Sequence, residues 1–239
     1  MKFLCIVPIF NEESKLKTLL DEINEYSKKS LNVDFLLINN GSNDESLDIL
    51  SRYNFRVISL NENYGVGYAL IQGLKVAIKE NYQYLIHLAG NGKMDPMQID
   101  EFKNKILNES YNYVNGSRFL EKNSSKSNPI GRILMIRILS FIVSIIYNQK
   151  VTDATCGFRC FEVNLLKDHF EFLNKKKFYT YKYEYYTYGK VLLSNKVRFS
   201  EVPVEMRYTK KNYSKIKPVI DWFPIIFGWL EARFDNKKI

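Results

Sequence analysis

Short apolar runs alternate with longer segments of helical apolar spacing along the first hundred residues. In one such segment, Leu16, Leu19, Leu20 and Ile23 fall on a single helical face. The runs predict strands at 3–7, 34–38, 55–60, 84–88 and 112–115, and the spaced segments predict helices at 14–29, 44–53 and 67–81. This alternation predicts an α/β fold with a mostly parallel, doubly wound sheet.

The predicted strand at 84–88 leads into a run of small residues. Gly90 and Gly92 occupy alternate positions, and Pro96 follows Asp95. This pattern is typical of a buried strand that delivers a tight loop to the edge of a sheet, where ligands bind in open α/β folds. The alternative is an ordinary strand-to-helix turn in which Asp95 and Pro96 begin the next helix. These residues alone leave both interpretations open.

Two segments in the second half of the chain are almost entirely apolar. Residues 130–147 follow a polar run at 121–128, which we interpret as a mobile loop, and carry only Arg132 and Arg137 as charges. They are too short and too interrupted to cross a bilayer, which needs about 20 apolar residues. With the aromatic-rich segment at 222–234, they indicate peripheral contact with a membrane surface. The alternative is that both helices belong to the core or to a homodimer interface.

Composition narrows the class of protein. The 239 residues are 46% hydrophobic and 26% charged, as in a globular protein of one domain, with or without a C-terminal extension. The three cysteines lack metal-ligand spacing, which indicates free thiols in a reducing compartment. Because an apolar strand begins directly after Lys2, we expect no signal peptide and predict a cytoplasmic protein. The net charge of +9 favours anionic partners, but no nucleic-acid-binding module is recognisable.

Six short motifs occur in order along the chain, and turn chemistry or helix capping could explain each of the first two when taken singly. They are VPIFNEE at 7–13, LLINNGSND at 36–44, NYGVGYA at 63–69, NGSR at 115–118, DATCGFR at 153–159, and EVP at 201–203 followed by SK at 214–215. Together they resemble family 2 glycosyltransferases. They are most similar to the polyprenyl-phosphate branch, which includes enzymes like dolichol-phosphate mannosyltransferase, and the resemblance covers residues 1 to about 217.

The resemblance implies a GT-A fold: a single Rossmann-like α/β domain at 1–217 with a mixed, mostly parallel central sheet flanked by helices, then an apolar helical extension at 218–239. It also implies the site residues. Those expected to bind the nucleotide sugar are Pro8, Phe10, Asn11, Glu12, Asn39, Gly41, Ser42, Gly65, Gly67, Asn91 and Arg118. Those expected to bind the acceptor or its phosphate are Arg132, Ser214 and Lys215. Those expected to act in catalysis are Lys93, Glu184, Asp153 and Arg159.

The chain departs from the family pattern where a metal ion is expected. Asn39 and Asn40 stand where the family usually has an Asp pair, residues 89–91 are Ala-Gly-Asn in place of Asp-x-Asp, and Lys93 replaces a neutral Gln. Mg²⁺ and Mn²⁺ need anionic oxygen ligands, which these residues cannot supply. Asp95 is explained by the start of a helix. We therefore expect no metal cofactor and predict that Lys93 neutralises the donor diphosphate. The alternative is that Lys93 points to solvent and that Mg²⁺ or Mn²⁺ binds through phosphate oxygens, water and Asp95.

These features predict sugar transfer from a nucleoside-diphosphate donor to a polyprenyl phosphate or a glycan, with inversion and without a metal ion. A phosphate acceptor is already ionised, whereas a sugar hydroxyl requires a base, for which Glu184 and Asp153 are the candidates. Each has a simpler alternative, since Glu184 could pair with Lys182 or Lys190, and Asp153 could cap a turn.

A degenerate GT-A fold that serves as a nucleotide-sugar-binding or scaffold protein is the other functional class. The intact Gly-Phe-Arg, Gly-Ser-Arg and Ser-Lys motifs favour an active enzyme, because a scaffold has no need of phosphate-side and acceptor-side groups. We expect such an enzyme to work peripherally at the inner face of the membrane. The sequence identifies neither the sugar nor the nucleotide.

Overall fold

A seven-stranded mixed sheet forms the centre of the protein in the computed structural model, which describes residues 1–121, 130–207 and 222–237. The strands are β1 (Phe3–Ile9), β2 (Val33–Asn40), β3 (Arg56–Leu60), β4 (Tyr84–His87), β5 (Tyr113–Ser117), β6 (Arg159–Glu162) and β7 (Phe199–Pro203). Their order is β3-β2-β1-β4-β6-β5-β7, so β4 lies at the centre of the sheet. β1 to β4 are mutually parallel, β6 is antiparallel to both its neighbours, and β5 and β7 are parallel.

Helices cover both faces of this sheet. They are α1 (Glu13–Lys29), α2 (Ser46–Ser51), α3 (Val66–Lys79), α4 (Ile99–Glu109), α5 (Ile130–Tyr147), α6 (Asn164–Lys167), α7 (Phe170–Leu173), α8 (Lys182–Leu193) and α9 (Trp222–Phe234). α1 and α4 pack on one face through residues such as Leu20 and Phe102. α3, α8 and α9 pack on the other through Leu74, Tyr188 and Trp229. The predicted α/β domain with a mixed, mostly parallel central sheet is confirmed.

The sequence pattern does not predict two strands that the structure contains, β6 and β7. β6 has four residues, begins with the buried Arg159 and ends with Glu162, so it contains no apolar run. Its register depends on its neighbours, because Cys160 pairs with Ile86 of β4 and with Val114 of β5. These partners are distant in the chain, and only their tertiary pairing makes the segment a strand.

Both apolar segments form helices that have a buried side and an exposed side. Trp229 of α9 lies in the core beside Tyr188, and the hydroxyl of Tyr147 in α5 donates a hydrogen bond to the Trp229 carbonyl oxygen at 2.5 Å. The exposed apolar side chains are Leu134, Met135, Ile138, Phe141, Ile142, Ile145 and Ile146 on α5, and Phe223, Ile226, Phe227, Leu230 and Phe234 on α9. Within the described part of the chain, no helix combines the length and apolar character needed to cross a membrane.

Several predicted features lie outside the described residues. They are most of the polar run at 121–128, the predicted domain boundary at 217/218, and the acceptor-side residues Ser214 and Lys215. Arg132 lies near the start of α5, but its side chain is also outside the described part. The division of the chain at 217/218 therefore stays a prediction.

Candidate functional site

A cavity of about 740 Å³ opens at the carboxyl ends of β1, β2 and β4. The parallel strands deliver their following loops to the same edge of the sheet. The chain winds from β1 towards β2 and β3 on one side, and β4 lies on the other side of β1. Ligands bind at such a reversal of strand order in open α/β sheets, because the loops diverge there and leave a crevice.

The turns after β1 and β2 are locked together by hydrogen bonds. The main-chain N–H of Asn11 donates to Oγ of Ser42 at 3.0 Å, and that of Glu12 donates to Oγ of Ser46 at 2.9 Å. The N–H of Ser42 in turn donates to Oδ1 of Asn39 at 3.2 Å. Glu12 lines the cavity, whereas Asn11, Asn39 and Ser42 do not. The latter three residues therefore build the wall that holds the lining residues in place.

An amide pair joins β2 to the turn before α3. Nδ2 of Asn40 donates to Oδ1 of Asn63 at 2.9 Å, and Oδ1 of Asn40 accepts from the main-chain N–H of Tyr64 at 3.2 Å. Both asparagines line the cavity, and neither is among the predicted site residues. A carboxylate at position 40 could not donate to Asn63, which gives a local reason for Asn where the family pattern has Asp.

The loop after β4 brings Lys93 into the cavity. Gly90 packs directly on β1, since a Cβ there would lie 2.4 Å from the carbonyl oxygen of Pro8. Gly92 has a φ of +66°, in the left-handed region that favours glycine. The main-chain N–H of Lys93 donates to Oδ1 of Asn91 at 3.2 Å. Lys93 is only 6% exposed and lines the cavity, so the predicted tight loop supplies a cation to its wall.

Asp95 is held outside the cavity. Its Oδ1 accepts from the main-chain N–H of Met97 at 2.9 Å, and its Oδ2 accepts from Nη2 of Arg207 at 2.5 Å. Arg207 also pairs with Glu22, and its main-chain N–H donates to the Lys93 carbonyl oxygen at 2.9 Å. Across the described ranges, no group of three or more His, Cys, Asp or Glu side chains could hold a metal ion. The loop around Lys93 does not fit a divalent cation, because it offers a single amide oxygen and an ammonium group.

A buried ion pair supports Arg118. Its Nε donates to Oδ2 of Asp153 at 2.6 Å, and its Nη2 donates to Oδ1 of Asp153 at 2.8 Å and to Oγ1 of Thr155 at 2.6 Å. Arg118 and Thr155 line the cavity, whereas Asp153 does not. Oδ1 of Asp153 also accepts from the Thr155 main-chain N–H at 3.1 Å, which is a turn-capping contact. Asp153 therefore orients Arg118 from behind the wall and does not itself line the cavity.

Arg159 lies in the core behind the cavity. Its Nε donates to Oδ1 of Asn115 at 3.1 Å and to the carbonyl oxygen of Cys156 at 3.0 Å. Its Nη1 donates to the main-chain carbonyl oxygen of Glu184 at 2.8 Å, and its guanidinium lies 4.7 Å from the centre of the Tyr188 ring. Arg159 is absent from the lining, and its contact with the Glu184 carbonyl oxygen positions α8 from the core.

Glu184 is a buried carboxylate on the cavity wall. Burial raises its pKa, and the charge of Arg159 partly opposes this shift. The simpler pairing with nearby lysines is not formed: Lys182 pairs with Glu231, and Lys190 donates to the carbonyl oxygen of Asp235 at 2.5 Å. A buried carboxyl group with a raised pKa beside a ligand cavity can move a proton.

His87 is a lining residue that the sequence analysis did not single out. It is the last residue of β4 and is 3% exposed. Burial, with a smaller contribution from the charge of Arg159, lowers its pKa to about 3. The available signal was one polar residue inside an apolar run. One polar position does not change the apolar pattern that predicts a strand, so the pattern alone does not mark this residue as functional.

The predicted site residues divide into three groups. Those that line the cavity are Pro8, Phe10, Glu12, Gly65, Asn91, Lys93, Arg118 and Glu184. Those that lie behind the lining are Asn11, Asn39, Gly41, Ser42, Gly67, Asp153 and Arg159. Those outside the described part are Ser214, Lys215 and the side chain of Arg132. Lining residues absent from the prediction include Asn40, Asn63, His87, Thr155, Tyr181 and Tyr185.

The sequence of this chain matches a family model and is similar to known proteins. The family model described as "Glycosyl transferase family 2" matches residues 4–170. An uncharacterised protein of Methanocaldococcus jannaschii is 27% identical, over 93% of this chain and 88% of its own length. The UDP-N-acetylglucosamine–dolichyl-phosphate N-acetylglucosaminyltransferase of Methanococcus voltae is 26% identical, over 95% of this chain and 94% of its own.

A solved structure supports the fold. It is glucosyl-3-phosphoglycerate synthase from Mycobacterium tuberculosis in complex with Mn²⁺, UDP and glucosyl-3-phosphoglycerate. The TM-score is 0.69 at 14% identity, and the match covers 97% of this chain and 79% of that one. At this identity, the likeness concerns the fold alone.

Proposed function

This chain belongs to glycosyl transferase family 2, and on that basis we propose that it transfers a sugar from a nucleoside-diphosphate donor to a polyprenyl phosphate, with inversion. The observation that carries the proposal is one cavity at the switch point of the sheet that holds the turn after β1, Lys93, Arg118 and Glu184 together. The acceptor class is supported by the name of the Methanococcus voltae relative, which acts on dolichyl phosphate.

The donor is proposed to lie across the carboxyl ends of β1 and β4. Pro8 and Phe10 offer an apolar wall to the nucleoside, and Glu12 offers an acceptor for hydroxyl groups. Arg118 and Lys93 lie on the lining where the diphosphate would follow. Asp153 balances the charge of Arg118, and Lys93 adds a second cation on the lining that can stabilise the leaving diphosphate.

We further propose that the reaction needs no metal ion. The Mycobacterium tuberculosis synthase was solved in complex with Mn²⁺. The family pattern has Asp-x-Asp in the loop after β4. Here that loop contains Ala89, Asn91 and Lys93, and Asp95 is paired with Arg207. The ammonium group of Lys93 can neutralise phosphate charge as a point charge, as lysines do in other phosphate sites.

The proposed acceptor determines how much Glu184 contributes. A polyprenyl phosphate is ionised near neutral pH and attacks without losing a proton, so charge and alignment control the rate. A sugar hydroxyl would need Glu184 as its base. Replacing Glu184 by Gln should therefore cost less than about tenfold with a short-chain polyprenyl phosphate, whereas loss of a required general base costs about 10²–10⁴-fold. A loss in that larger range, measured as kcat, would favour a hydroxyl acceptor.

The same variant has a pH signature in stability. Burial raises the pKa of Glu184 from 4.5, so the folded protein keeps this proton to a higher pH than the unfolded chain does. The stability linked to the proton is complete below the unfolded pKa and is lost as the pH rises through the folded pKa. In urea unfolding, Glu184→Gln should match the wild type at low pH and exceed it at high pH. A constant difference at every pH would show that the carboxylate is not desolvated.

A peripheral membrane position at the inner face is the third part of the proposal. The exposed apolar sides of α5 and α9 belong to neighbouring helices, which the hydrogen bond from Tyr147 to Trp229 joins. Arg137 and Arg233 are exposed on these helices, and the whole chain carries a net charge of +9. Apolar side chains beside cations match the boundary between lipid tails and anionic headgroups.

Liposome flotation tests this position. Phe141 and Ile145 are 67% and 64% exposed in the protein. Changing both to Ser should lower the fraction bound to anionic vesicles at least about tenfold, because two apolar side chains no longer enter the lipid. Leu31 lies outside both helices and is 94% exposed, so Leu31→Ser is the matched control and should float like the wild type. A protein that does not float, but dimerises through these helices, would support a subunit interface instead.

The decisive experiment for the activity is a donor panel assayed with a short-chain polyprenyl phosphate and, separately, with glycan acceptors. We expect a glycosylated lipid phosphate from at least one nucleotide sugar. Product with glycans alone would overturn the lipid acceptor. Binding of a nucleotide sugar without transfer to any acceptor would support the scaffold alternative.

A further inference from the structure

His87 forms part of the floor of the cavity. It ends β4, where it pairs in register with Ile6 of β1 and Arg159 of β6. Because side chains alternate along a strand, His87 shares a face with Leu85, on the side of the sheet covered by α3 and α8. The same cavity is lined by Glu184 of α8 and by the loop that carries Lys93. His87 therefore lines the same cavity as the groups placed nearest to the reacting atoms.

The imidazole of His87 has unused hydrogen-bonding capacity. Among the described residues, neither Nδ1 nor Nε2 has a hydrogen-bond partner, although the residue is 97% buried. Its pKa is lowered to about 3, so the ring is neutral and offers one donor and one acceptor. A buried polar group without a partner costs stability, which a ligand can recover by bonding to it.

Aromatic side chains hold the ring in place. The ring of Phe161 meets that of His87 nearly perpendicularly at 5.1 Å, and the Tyr183 ring lies 6.3 Å away. The imidazole is therefore oriented before a ligand arrives. Such a group suits a hydroxyl, which can donate and accept at once, better than a phosphate oxygen, which only accepts when ionised.

We propose that His87 is a specificity-determining residue that binds a hydroxyl group of the transferred sugar. The inference rests on the proposed function, in which the polyprenyl phosphate has no hydroxyl group to offer and the ribose lies with the nucleoside beside Pro8 and Phe10. The sugar is then the hydroxyl-bearing group that reaches the end of β4. A sugar acceptor is a second source of the same chemistry, and the test separates the two.

The test compares the wild type with His87→Leu, which keeps an apolar side chain of similar size and removes both nitrogens. Calorimetry should show about tenfold weaker binding of the nucleotide sugar and unchanged binding of the matching nucleoside diphosphate. In transfer assays with the wild type, kcat/KM should be about 10- to 100-fold lower for the deoxy-sugar donor that lacks the bound hydroxyl than for the normal donor. In His87→Leu, this difference between the two donors should fall to about threefold or less. His87→Gln, which restores a donor and an acceptor, should recover part of the preference.

Tyr183→Phe is the matched control. The Tyr183 hydroxyl is also buried and without a partner among the described residues, but Tyr183 does not line the cavity. Its removal should leave sugar preference unchanged. Neither variant should lower the melting temperature, since both remove unpaired polar atoms, whereas a purely structural histidine would lower it when replaced by Leu.

The outcomes separate the inference from the activity on which it rests. The ratio of the affinity for the nucleotide sugar to the affinity for the nucleoside diphosphate is the deciding quantity. If this ratio is the same in the wild type and in His87→Leu, the inference is wrong even when transfer occurs. If the change affects the KM of a glycan acceptor alone, the hydroxyl belongs to the acceptor and the donor assignment is wrong. If the wild type transfers no sugar at all, the proposed function fails, and the binding ratio still decides the role of His87.

Discussion

Replacing Lys93 by Ala should lower the rate of sugar transfer at least ~100-fold, comparable to the loss of one preorganised charge-stabilising donor. The donor diphosphate gains negative charge as the glycosidic bond breaks, and Lys93 is the cation that the loop after β4 brings to the cavity wall. The wild-type rate should in turn survive EDTA, because Asn91 and Lys93 offer no set of anionic ligands. Steady-state kinetics with and without EDTA measures both effects.

Lys103→Ala is the matched control for this prediction. Lys103 is a partly buried lysine of α4 that pairs with Asp100 at 3.0 Å and does not line the cavity. Its removal should leave kcat unchanged. The Lys93 hypothesis would be wrong if EDTA abolished activity, Mn²⁺ restored it, and Lys93→Ala retained nearly the wild-type rate.

Replacing Asp153 by Asn should destabilise the protein by about 3–5 kcal/mol, because the change leaves Arg118 with an uncompensated buried charge. Both residues are buried, and the carboxylate accepts two hydrogen bonds from the guanidinium. An amide can accept only one of them and turns its own N–H groups towards Arg118. Urea unfolding at neutral pH should show the loss as a lower midpoint with an unchanged slope.

An exposed ion pair provides the comparison. Lys17 and Asp21 pair on the surface of α1 at 2.9 Å, with roughly half or more of each side chain exposed. Asp21→Asn should leave the unfolding midpoint almost unchanged, since solvent screens exposed pairs. If Asp153→Asn unfolded at the wild-type midpoint, Arg118 would not depend on Asp153 for charge compensation, and its proposed orientation would lose its support.

The first four strands and three helices were predictable from the sequence, because their apolar periodicity is local. β1, β2 and β4 are buried parallel strands, which appear as short apolar runs, and α1 and α3 each have an apolar face. β6 and β7 were not predictable in this way. Their strand conformation comes from pairing with segments far away in the chain, and pairing of this kind leaves little local pattern.

The candidate site was predictable in part for a similar reason. Pro8, Lys93 and Arg118 all follow or end strands, and strands that run in the same direction bring such residues to one edge of the sheet. Motif position does not show which side chains reach the cavity. Asp153 and Arg159 belong to a motif, but the antiparallel β6 and its preceding loop turn them into the core.

The sequence by itself determined the fold class, the family and the edge of the sheet at which the candidate site lies. These follow from local periodicity and from the order of the motifs, both of which the chain carries before it folds. Only the tertiary structure decided that Asp153 serves Arg118, that Arg159 holds α8, and that His87 meets the cavity with both nitrogens unbonded. Each of these depends on burial and on distant partners, because a side chain's chemistry is set by the neighbours that packing places around it.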